Sequence, residues 1–358
     1  MEKVTKTFFD LIAISTGRKE TLDEPLSREE WFEVFDIAKK QTLLGPLSVA
    51  LDVLEGEVKA PLAVYSRWML AVETIQKRNE TTVAVGRKLC TRFAKDGFRA
   101  CVLKGSGLAA LYPRPELRQC GDVDVWVEGG ISMVLPYLRS HCKVKEVVYH
   151  HCDASSIDGV PVEVHFMPTW FNGFSRDRKL QRWFDANADV QFKNIDPKLG
   201  YAVPTPVFNA VYCLIHLLRH ILFEGVGLRQ LMDYYYLLLS LSDADRHEAL
   251  KVLNGFGLGR FSSSVTYVLQ KVFGMDEAYA LFAPDPELGE ALLEEVMIAG
   301  NFGRFDARNT TRKSDPFFKR AFGRMERLVR YFKFCPSEVL WAPGFKLWQF
   351  LWIKKNNF

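Results

Sequence analysis

Apolar residues recur at helical spacing through most of the first 96 residues. In SREEWFEVFDIAKKQ (27–41), Trp31, Val34, Phe35 and Ala38 fall on one stripe. Ser27, followed by Glu30 three residues later, forms a capping-box pattern. Pro61 suits the opening of a longer helix over 62–95, and Gly97 suits its end. No clustered acids or His/Cys groups occur here, so the pattern predicts a helical scaffold or lid.

The period changes between 98 and 167. FRACVL reads as a short strand, SGLAALY as a short helix and DVDVWV as a strand. ISMVLPYLRS reads as a helix broken near Pro136. KVKEVVYHHCD and GVPVEVHF (159–166) read as two more strands, with Asp158-Gly159 as the hairpin signal between them. The order β-α-β-α-β-β predicts a small mixed sheet with helices packed on it.

From 175 onward the helical period returns. In 207–223, Val211, Leu214, Ile215, Leu218 and Leu222 form one stripe, with Tyr212, His216, Arg219, His220 and Phe223 opposite. Gly225 and Gly227 break the chain. In 228–240, Leu231, Tyr235, Leu238 and Leu239 face inward, and Arg229, Asp233, Tyr236 and Ser240 lie on another face. Further helices are expected over 243–254, 258–273, 286–299 and 316–333. The fold class is therefore α+β, with an N-terminal helical region (1–96), a mixed α/β core (97–195) and a C-terminal all-helical domain (196–358).

Composition narrows the class. The 358 residues are 48% hydrophobic and 25% charged, enough for about two domains with a sizeable core. The net charge of +4 is too small to dictate a polyanionic partner. Seven cysteines form no CxxC pair, and Asp10 interrupts the N-terminal apolar patch. The expectation is a cytoplasmic protein with free thiols and no transmembrane segment, since no uncharged apolar run reaches ~18–20 residues. Residues 312–358 interleave eleven Lys/Arg and three Asp/Glu with aromatics. A solvated amphipathic face packed on the domain is the plainest reading, with nucleic acid or a membrane surface as alternatives.

The chemistry concentrates in 100–127. Asp122 and Asp124 stand two residues apart on a strand and so share a face, flanked by Val123, Val125, Trp126 and Val127. Carboxylates in that setting are costly without a cation, and a divalent metal is the obvious one. Gly105 and Gly107 let backbone approach phosphate, Ser106 adds a hydroxyl, and Lys104, Arg114 and Arg118 supply positive charge. Mg²⁺ prefers carboxylate and phosphate oxygens. Glu163, in Val-Glu-Val-His, is the best-placed third acid, with His165 on its face. The same alternation also allows both to face water. His216 and His220 are spaced i, i+4 but lack the Glu at 217 of a zincin motif, so a hydrogen-bonded pair is the plainer reading. Arg229 and Asp233, also i, i+4, stand in the less favourable order for an intrahelical pair and are expected to bond to a neighbouring helix or to position the His pair. A DxD glycosyltransferase would need a Rossmann-type βαβαβ repeat, which is missing.

Together these residues carry a resemblance. Leu103-Lys104-Gly105, Leu108, Leu111-Tyr112-Pro113, Arg118, Gly121 through Val127 and Val162-Glu163-Val164-His165 look like the uncharacterised nucleotidyltransferase family of the polymerase-β-like superfamily. The His216…His220 helix, Leu228-Arg229 and Leu231-Met232-Asp233 resemble it too. The loop between turn and DxD is longer than in many superfamily members. The resemblance implies that Asp122, Asp124 and Glu163 are catalytic and hold two Mg²⁺, with Mn²⁺ as a substitute. It implies that Lys104, Gly105, Ser106 and Arg118 hold a nucleoside triphosphate. His165, His216, His220, Arg229 and Asp233 would shape an acceptor pocket. The expected reaction moves a nucleoside monophosphate to a hydroxyl or phosphate of an unnamed acceptor (small molecule, RNA or protein) and releases pyrophosphate. The alternative is a non-catalytic nucleotide-binding regulatory module of toxin–antitoxin type on the same fold.

Overall fold

The structure is a computed structural model and describes residues 2–308 and 316–355. Helices α1 (Glu2–Ser15), α2 (Arg28–Lys40) and α3 (Leu44–Val53) lead into the long α4 (Leu62–Lys95). Both halves of the Ser27–Glu30 capping box form, and Trp31, Val34, Phe35 and Ala38 are all buried. At 34 residues, α4 is about 50 Å long. Its first half packs Val64, Trp68 and Val72 into the helical core, and its second half packs Val85 and Phe93 against the sheet. This one helix therefore ties the N-terminal layer to the core.

The sheet is mixed and six-stranded. It contains β1 (Ala100–Leu103), β2 (Val123–Val127), β3 (His151–Ile157), β4 (Val160–His165), β5 (Ile195–Asp196) and β6 (Tyr201–Ala202), in the spatial order β3-β4-β2-β1-β6-β5. Helix α5 (Gly105–Ala109) follows β1, and α6 (Gly130–His141) follows β2. The sequence order β-α-β-α-β-β thus matches the chain from β1 to β4. The short β5–β6 hairpin was not foreseen; it sits at the 195/196 division and adds β6 alongside β1.

Two local expectations need correction. The helix is not broken at Pro136: α6 runs through it. The hydrogen bond that proline removes would have gone to Ser132, and both residues are exposed, so water can satisfy the freed carbonyl. The strand expected over 143–153 begins only at His151. Residues before it fold back, with Lys145 N–H donating to Asp153 (2.8 Å) and Val148 N–H to His151 (3.0 Å). The turn falls at Tyr149-His150. Cys152 and Ala154 then supply the buried alternation of β3.

One sheet face, with Val102, Val123, Val125, Val162 and Val164, is covered by α6 and the end of α4. The other face is covered by α7 (Phe174–Lys193) and α8 (Pro206–Phe223), where Trp126 rests against Phe192 and Phe208. Next come α9 (Leu228–Ser240), α10 (Asp243–Gly255), α11 (Gly259–Phe273), α12 (Pro286–Ala299), α13 (Phe317–Arg330) and α14 (Pro336–Lys355). Among the described residues α8 alone is long and apolar enough to cross a membrane, but it is the central core helix, with 67% of that window buried. Residues 312–315 and 356–358 of the basic aromatic stretch lie outside the described residues. The rest includes α14, which packs Phe345 and Trp348 on Tyr149 and Phe174.

Contacts from the N-terminal layer fix the loop before β2. Asn79 of α4 donates to the carbonyls of Glu116 and Arg118 (2.8 Å each) and accepts from the N–H of Cys120 (3.0 Å). Gly45 of α3 lies so close that an added Cβ would stand 1.9 Å from the Leu117 carbonyl oxygen. Gly45→Ala gains about 1 kcal/mol of helix propensity, but that clash is with backbone. Overpacking costs about 1–3 kcal/mol or more, so the expected result of a thermal melt is net destabilisation.

Candidate functional site

The face of the sheet that buries Trp126 opens, one alternation earlier, into a cleft of about 430 Å³ roofed by α8 and α9. The register explains its acids. Parallel pairing of β2 with β4 sets Asp124 beside Glu163, and antiparallel pairing with β1 sets it opposite Leu103. Asp122 lies just before β2 and lines the same cleft. Glu163 and His165 point into the cleft rather than into bulk water, because α8 covers what would otherwise be the solvated face. His165 is 1% exposed.

Asp124 is compensated from two sides. Its Oδ1 lies 3.1 Å from Lys104 Nζ and 2.9 Å from His165 Nε2. Burial alone would raise its pKa; Lys104 and His165 outweigh burial and hold it well below the usual carboxylate range. Burial opposes protonation of His165, yet its bonds to Asp124 and Glu163 raise its pKa to about 9. Asp122 differs. It makes no hydrogen bond among the described residues, and burial, then repulsion from Asp124, pushes its pKa up. The donor set therefore fits a divalent cation: oxygen ligands gather on one wall, and Asp122 forms no ion pair within 4.0 Å among the described residues.

The turn after β1 splits its duties. Lys104 adopts φ 52°, ψ −138°, a conformation that costs a non-glycine residue about 1–3 kcal/mol. Lys104 and Gly105 line the cleft. Ser106 is buried and turned away, its hydroxyl 2.6 Å from that of Tyr201. Gly107 serves packing, since an added Cβ would sit 3.3 Å from Val203. Arg114 pairs with Glu116 at the surface. Arg118 is buried and bound through two nitrogens to Asp233, at 2.9 and 2.7 Å. Asp233 also accepts from the Tyr112 hydroxyl (2.7 Å), and Arg229 stands 3.8 Å away. Asp233 thus joins Arg118 and Tyr112 of the irregular segment before β2 rather than the neighbouring helix that the i, i+4 order suggested.

The two histidines of α8 continue the line of polar contacts. Lys104 Nζ lies 3.0 Å from His216 Nε2, and His216 Nε2 lies 2.6 Å from His220 Nε2. His220 Nδ1 reaches Glu224 at 2.9 Å. Burial, then the charge of Lys104, holds the pKa of His216 well below its ordinary value. The pair is therefore a hydrogen-bonded link from Lys104 to the rim.

Sequence reasoning missed several residues of this cleft. His151 Nε2 lies 3.8 Å from Glu163 and 3.5 Å from Asp153, and its Nδ1 lies 2.7 Å from His150 Nε2. The adjacent histidines of Tyr-His-His-Cys were the available signal, hidden by reading that stretch as continuous strand. Arg219 was placed on the polar face of α8 but given no role. Its guanidinium carbon lies 3.1 Å from the Trp170 ring centre and 5.0 Å from that of Phe223. It donates to the Trp170 carbonyl (3.3 Å) and forms no ion pair within 4.0 Å among the described residues. Burial lowers its pKa to about 9.

The model of a family described as uncharacterised nucleotidyltransferase matches residues 27–274. That span runs from the cap of α2 to the end of α11, so it takes in the N-terminal helices as well as the sheet. Among solved structures the chain is similar to an antigenic nucleotidyltransferase-like protein from Paracoccidioides brasiliensis. Identity is 12%, coverage is 59% of this chain and 96% of that one, and the TM-score is 0.32. Among curated proteins none matches the chain.

Proposed function

The chain belongs to the uncharacterised nucleotidyltransferase family, and from that premise we propose a metal-dependent enzyme of the polymerase-β-like kind. It moves a nucleoside monophosphate from a nucleoside triphosphate to an acceptor and releases pyrophosphate. The observation that carries this reading is the convergence of Asp122, Asp124 and Glu163 with Lys104 on one wall of a single cleft. Asp122 and Asp124 would hold Mg²⁺, or Mn²⁺ in its place, and Glu163 would add a third ligand. The bound metal supplies charge neutralisation at the reacting phosphate.

The chain's own residues do the rest. Lys104 and the Gly105 backbone stand where they would contact the outer phosphates, and the strained Lys104 backbone fixes that ammonium beside the acids. Ser106 supports the turn through Tyr201. Arg118 and Asp233 hold the loop that leads into Asp122. His216 and His220 link Lys104 to the rim and would hold its ammonium in place. Between them on α8, Arg219 lines the cleft with guanidinium donors that no acid among the described residues receives, which suits an acceptor bearing a negative group.

The test is incubation of the full chain with each α-labelled nucleoside triphosphate, Mg²⁺ or Mn²⁺ and a cell extract. Label should pass to one acceptor class with pyrophosphate released in equal amount. Nucleotide binding with no transfer to any acceptor pool would support the non-catalytic alternative instead. Arg219→Met is expected to weaken transfer to the acceptor about tenfold or more while leaving triphosphate binding unchanged, read by comparing KM for each substrate.

A further inference from the structure

We propose that His151, Glu163 and His165 form a binding site for a borderline divalent transition ion of the zinc or cobalt class, beside the oxygen ligands Asp122 and Asp124. One ligand atom from each of the three lies within 4.8 Å of the others. Two edges of that triangle are measured: His151 Nε2 to Glu163 Oε2 is 3.8 Å, and His165 Nε2 to Glu163 Oε2 is 3.6 Å. A tetrahedral site with bonds of about 2.0–2.1 Å places neighbouring ligand atoms about 3.3–3.4 Å apart. Each measured edge is within about half an ångström of that spacing, and the third, between the two imidazoles, is no longer than 4.8 Å. Asp124, 2.9 Å from His165 Nε2, offers a fourth ligand.

The surroundings orient His151 as a metal ligand is oriented. His151 keeps Nδ1 against His150 Nε2, which aims its Nε2 at Glu163 and Asp153. A ligating imidazole ordinarily fixes its second nitrogen in this way. The donor chemistry then selects the ion. Mg²⁺ favours oxygen and keeps its waters, whereas two imidazoles with a carboxylate suit zinc, cobalt or nickel. The tautomer is part of the inference: a metal on His151 Nε2 requires that Nδ1 carry the proton and donate to His150. Without an ion, the opposite arrangement lets His151 Nε2–H bond to the acids.

This site shares Glu163 and Asp124 with the proposed reaction but rests on its own geometry, so its test omits nucleotide. The full chain, stripped by a chelator, is titrated with Co²⁺ in the presence of excess Mg²⁺. The expected result is one tight equivalent per chain with the intense visible absorption of a tetrahedral, nitrogen-ligated ion, displaced by Zn²⁺. His151→Ala should weaken Co²⁺ at least about tenfold, and His150→Ala should weaken it in the same direction through lost orientation. Asp122→Asn should leave Co²⁺ binding unchanged even where it removes transfer activity. The partly exposed His151 makes its variant a fair one, and circular dichroism checks its fold. Co²⁺ that gives only a weak octahedral spectrum, that Mg²⁺ displaces, or that binds His151→Ala as well as the parent overturns the proposal.

Discussion

Asp122→Asn is expected to remove nucleotide transfer by about 10³-fold or more while leaving the protein as stable as the parent, or more stable. The activity loss follows from the several kcal/mol that a catalytic metal contributes to stabilising transition-state charge. The stability result follows from the position of Asp122. Its carboxylate makes no hydrogen bond among the described residues, it is desolvated, and Asp124 repels it. An amide relieves both penalties. Asp124→Asn should lose activity to a similar degree but behave oppositely in a melt. It removes the acid that neutralises Lys104 at 3.1 Å and His165 at 2.9 Å. Breaking a buried pair costs about 3–5 kcal/mol, and the low end applies because His165 can shed its proton and Lys104 keeps His216. Paired thermal melts and label-transfer assays check both. Equal loss of stability in the two variants would sink this division of roles, and full transfer activity in either would sink the metal reading.

Much of this site was legible along the chain because the period-2 alternation of a strand is unforgiving. Val123, Val125 and Val127 fixed the buried face of β2, which left Asp122 and Asp124 on the other. The hairpin signal at Asp158-Gly159 placed β4, and the parallel register then set Glu163 beside Asp124. Alternation could not tell a cleft from bulk water on that second face. Only the packing of α8 across the sheet decides it, and its contact with the turn after β1 joins residues 112 apart in the chain. The same limit applied to Ser106. Its motif suggests a phosphate ligand, while its hydroxyl is bonded to Tyr201 of a two-residue strand too short to announce itself. His150 and His151 were lost for a related reason. A β-rich run folds back on itself at Tyr149-His150, and a chain reversal without Gly, Pro or Asn leaves little local trace.

The second large effect lies away from the acids. Asp233→Ala should destabilise the protein by about 3–5 kcal/mol, read as a fall in unfolding free energy in urea. The substitution strands the Arg118 guanidinium, 3% exposed, together with the Tyr112 hydroxyl, and it leaves Arg229 without its nearest acid. The double variant Arg118→Met/Asp233→Leu should recover a substantial part of that loss, because apolar replacement of both partners removes the buried charge along with its counterion. Recovery will be incomplete, since Tyr112 and Arg229 stay unpaired. The pair also separates two roles for Arg118. If its guanidinium serves to hold the 114–121 loop for Asp122, Arg118→Met lowers stability and kcat together while KM for the triphosphate stays within about twofold. If it contacts the triphosphate, KM rises about tenfold or more with little change in unfolding free energy. The two nitrogens already committed to Asp233, at 2.9 and 2.7 Å, favour the first outcome. The long loop between the glycine turn and Asp122 would then be a strut, with Asn79 at one end and Asp233 at the other, rather than a phosphate ligand.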